Sequence, residues 1–401
     1  MKILFLTAYC DSEKEDYLLS KSKCGLQNSI ILFQRNLVNG IQELTGKNYD
    51  IINFYPIGSF PKYYKSVFLH GEKRNFNENF INNIGFINIP FFKQVMQIIT
   101  IRKAVTKWIK QNKNEKLYII MYDLLYPHLY AIKSIKKKGY NVKTFTVVAD
   151  LPNEFGYEKR ERGLKRIIKK YLGKKQLQYL NYIDYFGLLT EQMSKPLNIT
   201  KNKYVVIEGF YTKNRYYTEA QDSKKKIILY SGAIYKIYGI EKLLHAFRSI
   251  SNEDFELWFC GNGDYIQEIL QCSYIDKRIK YFGYKNSEEI AIFQSQATVL
   301  INPRPNEDEY TKYSFPSKII EYLSAARPVI AYKLDGIPEE YYNYIFTPSD
   351  DSVQALSDVI IKVCNMALEE RRMIGKKGRD FIIARTSPDK QCKKIINLLM
   401  S

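Results

Sequence analysis

The sequence predicts an α/β protein made of two doubly wound domains, each a parallel sheet with helices on both faces. Three observations carry that expectation. Short apolar strands alternate with helix-length amphipathic stretches through most of the chain, the pattern of parallel sheets covered on both sides. The alternation restarts after a polar, lysine-rich stretch near the middle. Finally, 401 residues at 45% hydrophobic content exceed one core, because single cores stop growing near ~250–300 residues. The same composition excludes a disordered chain and a collagen-like repeat.

Taken in order, strands are expected at Lys2–Thr7, Leu117–Tyr122, Val142–Val148, Tyr185–Leu189, Lys226–Tyr230, Glu256–Cys260, Ile279–Phe282, Thr298–Ile301 and Pro328–Ala331. The run Ile3–Ala8 is too short for a signal-peptide core and is followed at once by Asp11 and Glu13, so it reads as a buried strand. No apolar run approaches the ~18–20 residues that span a bilayer. Helices are expected at Ile240–Ser249, Asp264–Cys272, Ser287–Gln296 and Pro316–Ala325. Residues 1–211 then form the first domain, 212–226 (TKNRYYTEAQDSKKK) the linker and 227–386 the second domain. A last helix, 387–401, is able to pack back on the first domain. Ligands are expected where strand carboxyl ends face the interdomain cleft.

Charge is unevenly spread. Residues 1–200 hold 32 Lys and Arg against 16 Asp and Glu, and residues 201–401 hold 29 against 26. A one-sided excess suits an anionic partner such as a membrane surface or a phosphorylated substrate; a lysine-rich composition is the plainer alternative. Two basic segments, Phe91–Lys116 and Tyr157–Leu180, set aliphatic residues at helical spacing beside dense Lys and Arg. Each is either a helix that rests on anionic headgroups or a surface helix packed on its own sheet. Neither carries a nucleic-acid-binding motif. The six cysteines are scattered without a CxxC pair and the three histidines are dispersed, so reduced thiols and no metal site are expected.

The stretch most suggestive of chemistry is Val299–Ala331, VLINPRPNEDEYTKYSFPSKIIEYLSAARPVIA. It reads as strand, polar loop, helix and strand, with Ser314 as helix cap and Pro316 in the first turn. The amides of Ser317 and Lys318 would then meet phosphate oxygens, with the charge of Lys318 added. Glu321, one turn on, is placed to accept ribose hydroxyls, or else to join a surface ion pair. Glycines end other strands of this half: Gly232 in IILYSGAIYKIYG, Gly261 and Gly263 in LWFCGNG, and Gly283 in IKYFGYK. Strand ends of one parallel sheet assemble into one crevice, so together they point to a ligand.

In the order SGAIYKIYGIEKLLHAF, FCGNGD, IKYFGY, INPRP and FPSKIIEYLSAARPVIAYKLDGIPE, residues 226–350 resemble the donor domain of family 4 glycosyltransferases, which have the GT-B fold of two Rossmann-like domains facing across a cleft. TVVADLP, LLTEQM and VIEGF resemble capsule and exopolysaccharide members more loosely. The resemblance implies retaining sugar transfer from a nucleotide sugar, UDP-linked by preference, without a cofactor or an obligatory metal. It places Glu321 on the donor ribose, Ser317 and Lys318 at the diphosphate, Gly232 in the family's glycine turn, and Gly283 and Tyr284 beside the base. Gly25 would belong to a phosphate-facing loop after the first strand.

Departures from the family pattern are specific. Tyr313 stands where the first of two paired glutamates is usual, so a carboxylate for the donor sugar falls to Glu307, Asp308 or Glu309, of which Glu309 is favoured. Ala233 and Tyr238 replace the usual diphosphate arginine and lysine, leaving Lys236, Lys318 or Arg304 to supply charge. In the first domain Asp150 ends the strand Val142–Val148, either to orient or deprotonate an acceptor hydroxyl or to cap a turn. The acceptor implied is a lipid-linked or other saccharide, and the basic first domain implies peripheral attachment to an anionic membrane from the cytoplasm. A GT-B epimerase and a nucleic-acid-binding protein are the alternatives; the second leaves the strand-end glycines and Phe315–Glu321 unexplained.

Overall fold

The computed structural model describes residues 1–10, 12–23, 26, 28–76, 79–152, 163–212, 224–307 and 309–401. Most of the expected linker, 213–223, and residues 157–162 of the second basic segment lie outside the described residues. In chain order the elements are β1 (Lys2–Thr7), α1 (Ser12–Lys21), α2 (Asn28–Thr45), β2 (Asp50–Asn53), β3 (Phe68–Leu69), β4 (Glu72–Phe76), β5 (Asn79–Asn83), β6 (Phe86–Ile87), α3 (Phe92–Gln111), β7 (Leu117–Tyr122), α4 (Tyr126–Lys137), β8 (Lys143–Val148), α5 (Leu164–Leu180), β9 (Tyr185–Leu188), α6 (Ser194–Leu197) and β10 (Tyr204–Val206). There follow β11 (Lys226–Ser231), α7 (Ile240–Arg248), β12 (Phe255–Cys260), α8 (Ile266–Ile275), β13 (Ile279–Tyr281), α9 (Ser287–Gln296), β14 (Val299–Asn302), α10 (Ser317–Ser324), β15 (Val329–Ala331), α11 (Val353–Cys364), α12 (Leu368–Thr386) and α13 (Pro388–Met400). Two compact units result, residues 1–210 with 388–401 and residues 211–387.

The first unit holds an eight-stranded sheet in the order β10-β9-β8-β7-β1-β2-β5-β4. Its central strands β1 and β7 are apolar on both faces because helices cover both, while β8 sets buried Thr144 and Thr146 on the face opposite Phe145 and Val147. Ile3, Phe5, Ile120, Tyr122, Phe145 and Val147 pack with Leu37 and Ile41 of α2 and Ile395 and Leu399 of α13. Alternation turns Leu4, Leu6, Ile119 and Met121 to the opposite face, where α3, α4 and α5 pack in succession. α13 and α2 approach closely: a side chain on Gly40 would sit 2.8 Å from Cys392 Sγ. The edge departs from an all-parallel sheet, since β4 runs antiparallel to β5. EKRNF at the edge and NFINN beside it are mostly polar, with only Ile81 of the second entering the core, so no apolar run announces them.

Buried asparagines tie the carboxyl ends of β1, β2 and β5 together. Asn53 Oδ1 accepts from Thr7 Oγ1 and from the Tyr9 amide at 2.9 Å each, and its Nδ2 donates to Tyr9 O at 3.0 Å and Asn83 Oδ1 at 2.7 Å. Removing a partner from a buried polar group costs ~1–3 kcal/mol each. Asn53→Leu is therefore expected to lower the unfolding free energy by about 3 kcal/mol or more, read as a reduced urea midpoint.

The second unit is a five-stranded, wholly parallel sheet in the order β13-β12-β11-β14-β15. Tyr230, Phe247, Phe255, Leu257, Phe259 and Ile301 form its core with α7 and α11. The order reverses beside β11, so the crevice of a doubly wound sheet lies at the carboxyl ends of β11 and β14.

Candidate functional site

Glycines draw the strand ends of the second unit together. Gly232, Gly261 and Gly283 have φ of 136°, 147° and 74°. The Gly232 amide donates to Cys260 O and the Gly261 amide to Gly283 O, both at 2.8 Å. A Cβ on Gly261 would lie 1.8 Å from the Gly232 carbonyl oxygen, and one on Gly263 1.9 Å from that of Ile234. The backbones touch, and a side chain has no room. A Cβ on Gly232 would instead lie 2.2 Å from Cε and Nζ of Lys318, the movable end of a long side chain. Gly261→Ala is thus expected to destabilise by about 3 kcal/mol or more, lowering the thermal midpoint. Gly232→Ala should cost less stability and displace the Lys318 amine, weakening ligand binding more than folding.

α10 starts at Ser317 with Pro316 in the cap position and no side-chain cap. Ser314 is therefore not the cap. Its amide reaches back to Thr311 O at 3.5 Å, and its carbonyl packs against Gly336, where a Cβ would lie 2.7 Å away. The Ile319 amide donates to Pro316 O at 2.9 Å, and no side chain caps the amides of Ser317 and Lys318 before it, which could meet a ligand. Tyr322 registers the helix on β11: its Oη accepts from the Ser231 amide at 2.9 Å and donates to Ser231 O at 3.1 Å.

Lys318 and Glu321 lie one turn apart on α10. Lys318 Nζ donates to Tyr230 Oη at 2.7 Å and stands 4.0 Å from the centre of that ring. Burial holds its pKa down to about 7, the positive charge of Arg304 adds to the effect, and Glu321 opposes it. Arg304, itself buried, follows β14 by two residues. Two cations beside the start of α10 give this end of the sheet the charge that could hold an anion. Glu321 Oε1 accepts from buried Gln294 Nε2 at 2.5 Å, while Oε2 has no hydrogen-bond partner among the described residues. Surrounding protein raises the Glu321 pKa, against the Gln294 bond and the Lys318 charge. The side chain is nonetheless open to water, so it is reachable by a ligand.

Other expected positions are spread around this group. Lys236 lies in an exposed turn and pairs with Glu241 at 2.9 Å. Tyr284 is exposed in the loop after β13. Tyr313 ends the helical turn Glu309–Tyr313 with Lys312 over its ring, and Glu307 faces Lys242 at 3.8 Å. The side chain of Glu309, Asp308 and Gly25 lie outside what is described.

In the first unit Asp150 follows β8 and Asp123 follows β7. Asp123 has φ of 62°, and its amide donates to Val147 O at 2.7 Å. Its carboxylate accepts backbone bonds from Leu124, Asp150 and Ala149, yet burial, and then the Asp150 charge, push its pKa up to about 6. Burial raises Asp150 as well. The rule that singles out Asp150, a carboxylate at the carboxyl end of a parallel strand, applies equally to Asp123 in MYDLL. Among the described residues no three His, Cys, Asp or Glu side chains gather to hold a metal ion, and no helix is long and apolar enough to cross a membrane.

Residues 218–381 match the family described as Glycosyl transferases group 1. A search of curated protein sequences finds no match. The fold is similar to that of sucrose-phosphate synthase from Thermosynechococcus elongatus, at 16% identity and a TM-score of 0.67 over 100% of this chain and 98% of that one. It is similar to the Escherichia coli trehalose-6-phosphate protein bound with UDP-2-fluoro glucose, at 10% identity and a TM-score of 0.65 over 99% of each chain. It is also similar to a TarM mutant from S. aureus in complex with fondaparinux, alpha-GlcNAc-glycerol and UDP, at 12% identity and a TM-score of 0.61 over 100% of each. The likeness to capsule and exopolysaccharide members stays outside these matches. The chain carries a glycosyl transferases group 1 domain over residues 218–381 and is a transferase enzyme of the GT-B fold.

Proposed function

We propose that this enzyme transfers a sugar, with retention at the anomeric carbon, from a UDP-sugar to a lipid-linked saccharide in surface polysaccharide synthesis, at the inner face of the cell membrane. The observation that carries the donor half is the pairing of Lys318 and Arg304 beside the uncapped start of α10. These groups would take the diphosphate, and the open oxygen of Glu321 the ribose. UDP is favoured because two of the similar structures hold UDP or a UDP-sugar.

In the reaction the bond from the anomeric carbon to the diphosphate breaks and a bond to the acceptor oxygen forms on the same face. The acceptor proton passes to the departing phosphate oxygen. Fixed amides and Lys318 stabilise the charge that develops there, which costs no reorganisation during the step, so neither a metal nor another cofactor is called for. Asp150, with Asp123 beside it, would orient the acceptor hydroxyl in the first unit, and Glu309 remains the proposed carboxylate for the donor sugar. The test is incubation of purified enzyme with UDP-sugars and membrane lipid extract. A sugar-labelled lipid with release of UDP is expected. Conversion of the donor sugar without any acceptor would instead favour an epimerase.

A further inference from the structure

Resting on the reading of a membrane-associated enzyme, we propose that the layer α3–α4–α5 is the face that lies on an anionic phospholipid bilayer, with the Phe91–Phe92 turn as its inserted foot. α3 packs on α4 and α4 on α5, so the three form one layer. In turn they carry five, three and six Lys and Arg residues and no Asp or Glu. Ordinary solvated helices mix both signs. Lys93 turns back to the Ile57 carbonyl and Lys136 pairs with Asp184 at 2.7 Å, so the outward charge rests chiefly on Lys103, Lys107 and Lys110 of α3 and Arg166, Lys170 and Lys174 of α5.

The outward stripe of α3 divides along its length. Phe92, Val95 and Ile99 are exposed at steps of three and four residues, and Lys103, Lys107 and Lys110 continue the stripe. With 20 residues the helix is ~30 Å long, so its apolar and basic ends are separate zones. Phe91 is 72% exposed and Phe92 57%. Phe91 has φ 69° and ψ −57°, and the Phe92 amide donates to Pro90 O at 3.0 Å, which makes a γ-turn of the sparsely populated hand. A bulky residue persists there only where its surroundings hold it. Buried Asn88 supplies that hold, donating to Gly58 O at 3.0 Å and Ser66 O at 3.3 Å, and the Lys93 amine reaches back to the carbonyl of Ile57.

α5 repeats the arrangement. Ile167 is 66% and Tyr171 58% exposed, one turn apart, with Arg166, Lys170 and Lys174 exposed around them. Apolar side chains flanked by long cationic ones settle at the headgroup boundary, with the ammonium groups kept among phosphates. Charge selects a bilayer over a second copy of this chain, whose same face would be equally positive.

The test is sedimentation of the full chain with vesicles of phosphatidylcholine alone and of phosphatidylcholine mixed with phosphatidylglycerol. Wild type should bind only the mixed vesicles. A Lys103→Gln, Lys107→Gln, Lys110→Gln triple should bind them about a hundredfold more weakly, and Phe91→Ser with Phe92→Ser about tenfold more weakly. A Phe92→Trp variant should show blue-shifted emission on the mixed vesicles. Absence of wild-type binding overturns the proposal, as do undiminished binding by both multiple variants with native circular dichroism and an unshifted tryptophan. UDP affinity measured without vesicles separates this face from the donor site: UDP binding without vesicle binding sinks the face and spares the donor reading, and vesicle binding through this face without UDP binding does the reverse.

Discussion

Lys318→Met is expected to weaken UDP binding by about thirty- to a hundredfold, the ~2–3 kcal/mol of a hydrogen bond to a charged group in a partly buried site. Its pH signature is more specific. In the free enzyme burial and Arg304 hold the Lys318 pKa at about 7, so above that pH the amine is largely neutral. A bound diphosphate favours the ammonium and raises the pKa again, so binding takes up a proton. Apparent affinity should therefore fall about tenfold per pH unit above 7 until the bound-state pKa is reached, and Lys318→Met should remove that slope. Folding moves the opposite way. Because the folded pKa lies below the unfolded value of 10.5, the unfolded chain holds more protons between about 7 and 10.5, and stability rises with pH across that window. The penalty is fully present below pH 7. Lys318→Met should accordingly raise the thermal midpoint of the ligand-free enzyme near pH 6 while weakening UDP binding, the trade expected when a site stores unfavourable charge for its ligand.

Glu321→Ala should weaken the binding of UDP and UDP-sugar alike by about ten- to a hundredfold, since it removes a charged acceptor worth ~1.5–3 kcal/mol. The loss should vanish for a ligand that lacks the ribose hydroxyls, and that comparison separates a direct contact from a packing defect. Glu321→Gln keeps an acceptor but leaves buried Gln294 facing another amide in place of the carboxylate it now bonds at 2.5 Å. It should therefore recover only part of the affinity. Calorimetry of the three proteins at one pH reads all of these outcomes.

Legibility in the sequence followed burial. β1, β7 and β11 appear as near-continuous apolar runs, and β8 (KTFTVV) and β12 (FELWFC) are interrupted only by threonines and one glutamate, so the two doubly wound sheets could be read from them. β4 is a polar edge strand, β5 beside it is mostly polar, and β10 is three residues long; pairing made them strands, and nothing local announces pairing. The same contrast holds at the site. Lys318 and Glu321 are one helical turn apart and stand out together, and Gly232 stands out as a strand-end glycine. The bond from Lys318 to Tyr230 spans 88 residues, and the fit of the Lys318 amine against Gly232 exists only once β11 and α10 are side by side. Ser314 shows the reverse: a serine two residues before Pro316 suggests a cap, but the preceding turn and the close packing of Gly336 claim its backbone first.

The proposed anion site of the second unit is made by Lys318, Arg304 and the start of α10 and is flanked by Glu321. The most direct test is calorimetric titration of the enzyme with UDP at pH 6.5 and pH 8.5, each in two buffers of different ionisation enthalpy, for wild type and Lys318→Met. Proton uptake by wild type at pH 8.5, with affinity clearly lower than at pH 6.5, and neither effect in the variant, is the predicted result. Tight UDP binding with the same pH profile and proton count in both proteins would show that the diphosphate is held elsewhere, and would contradict it.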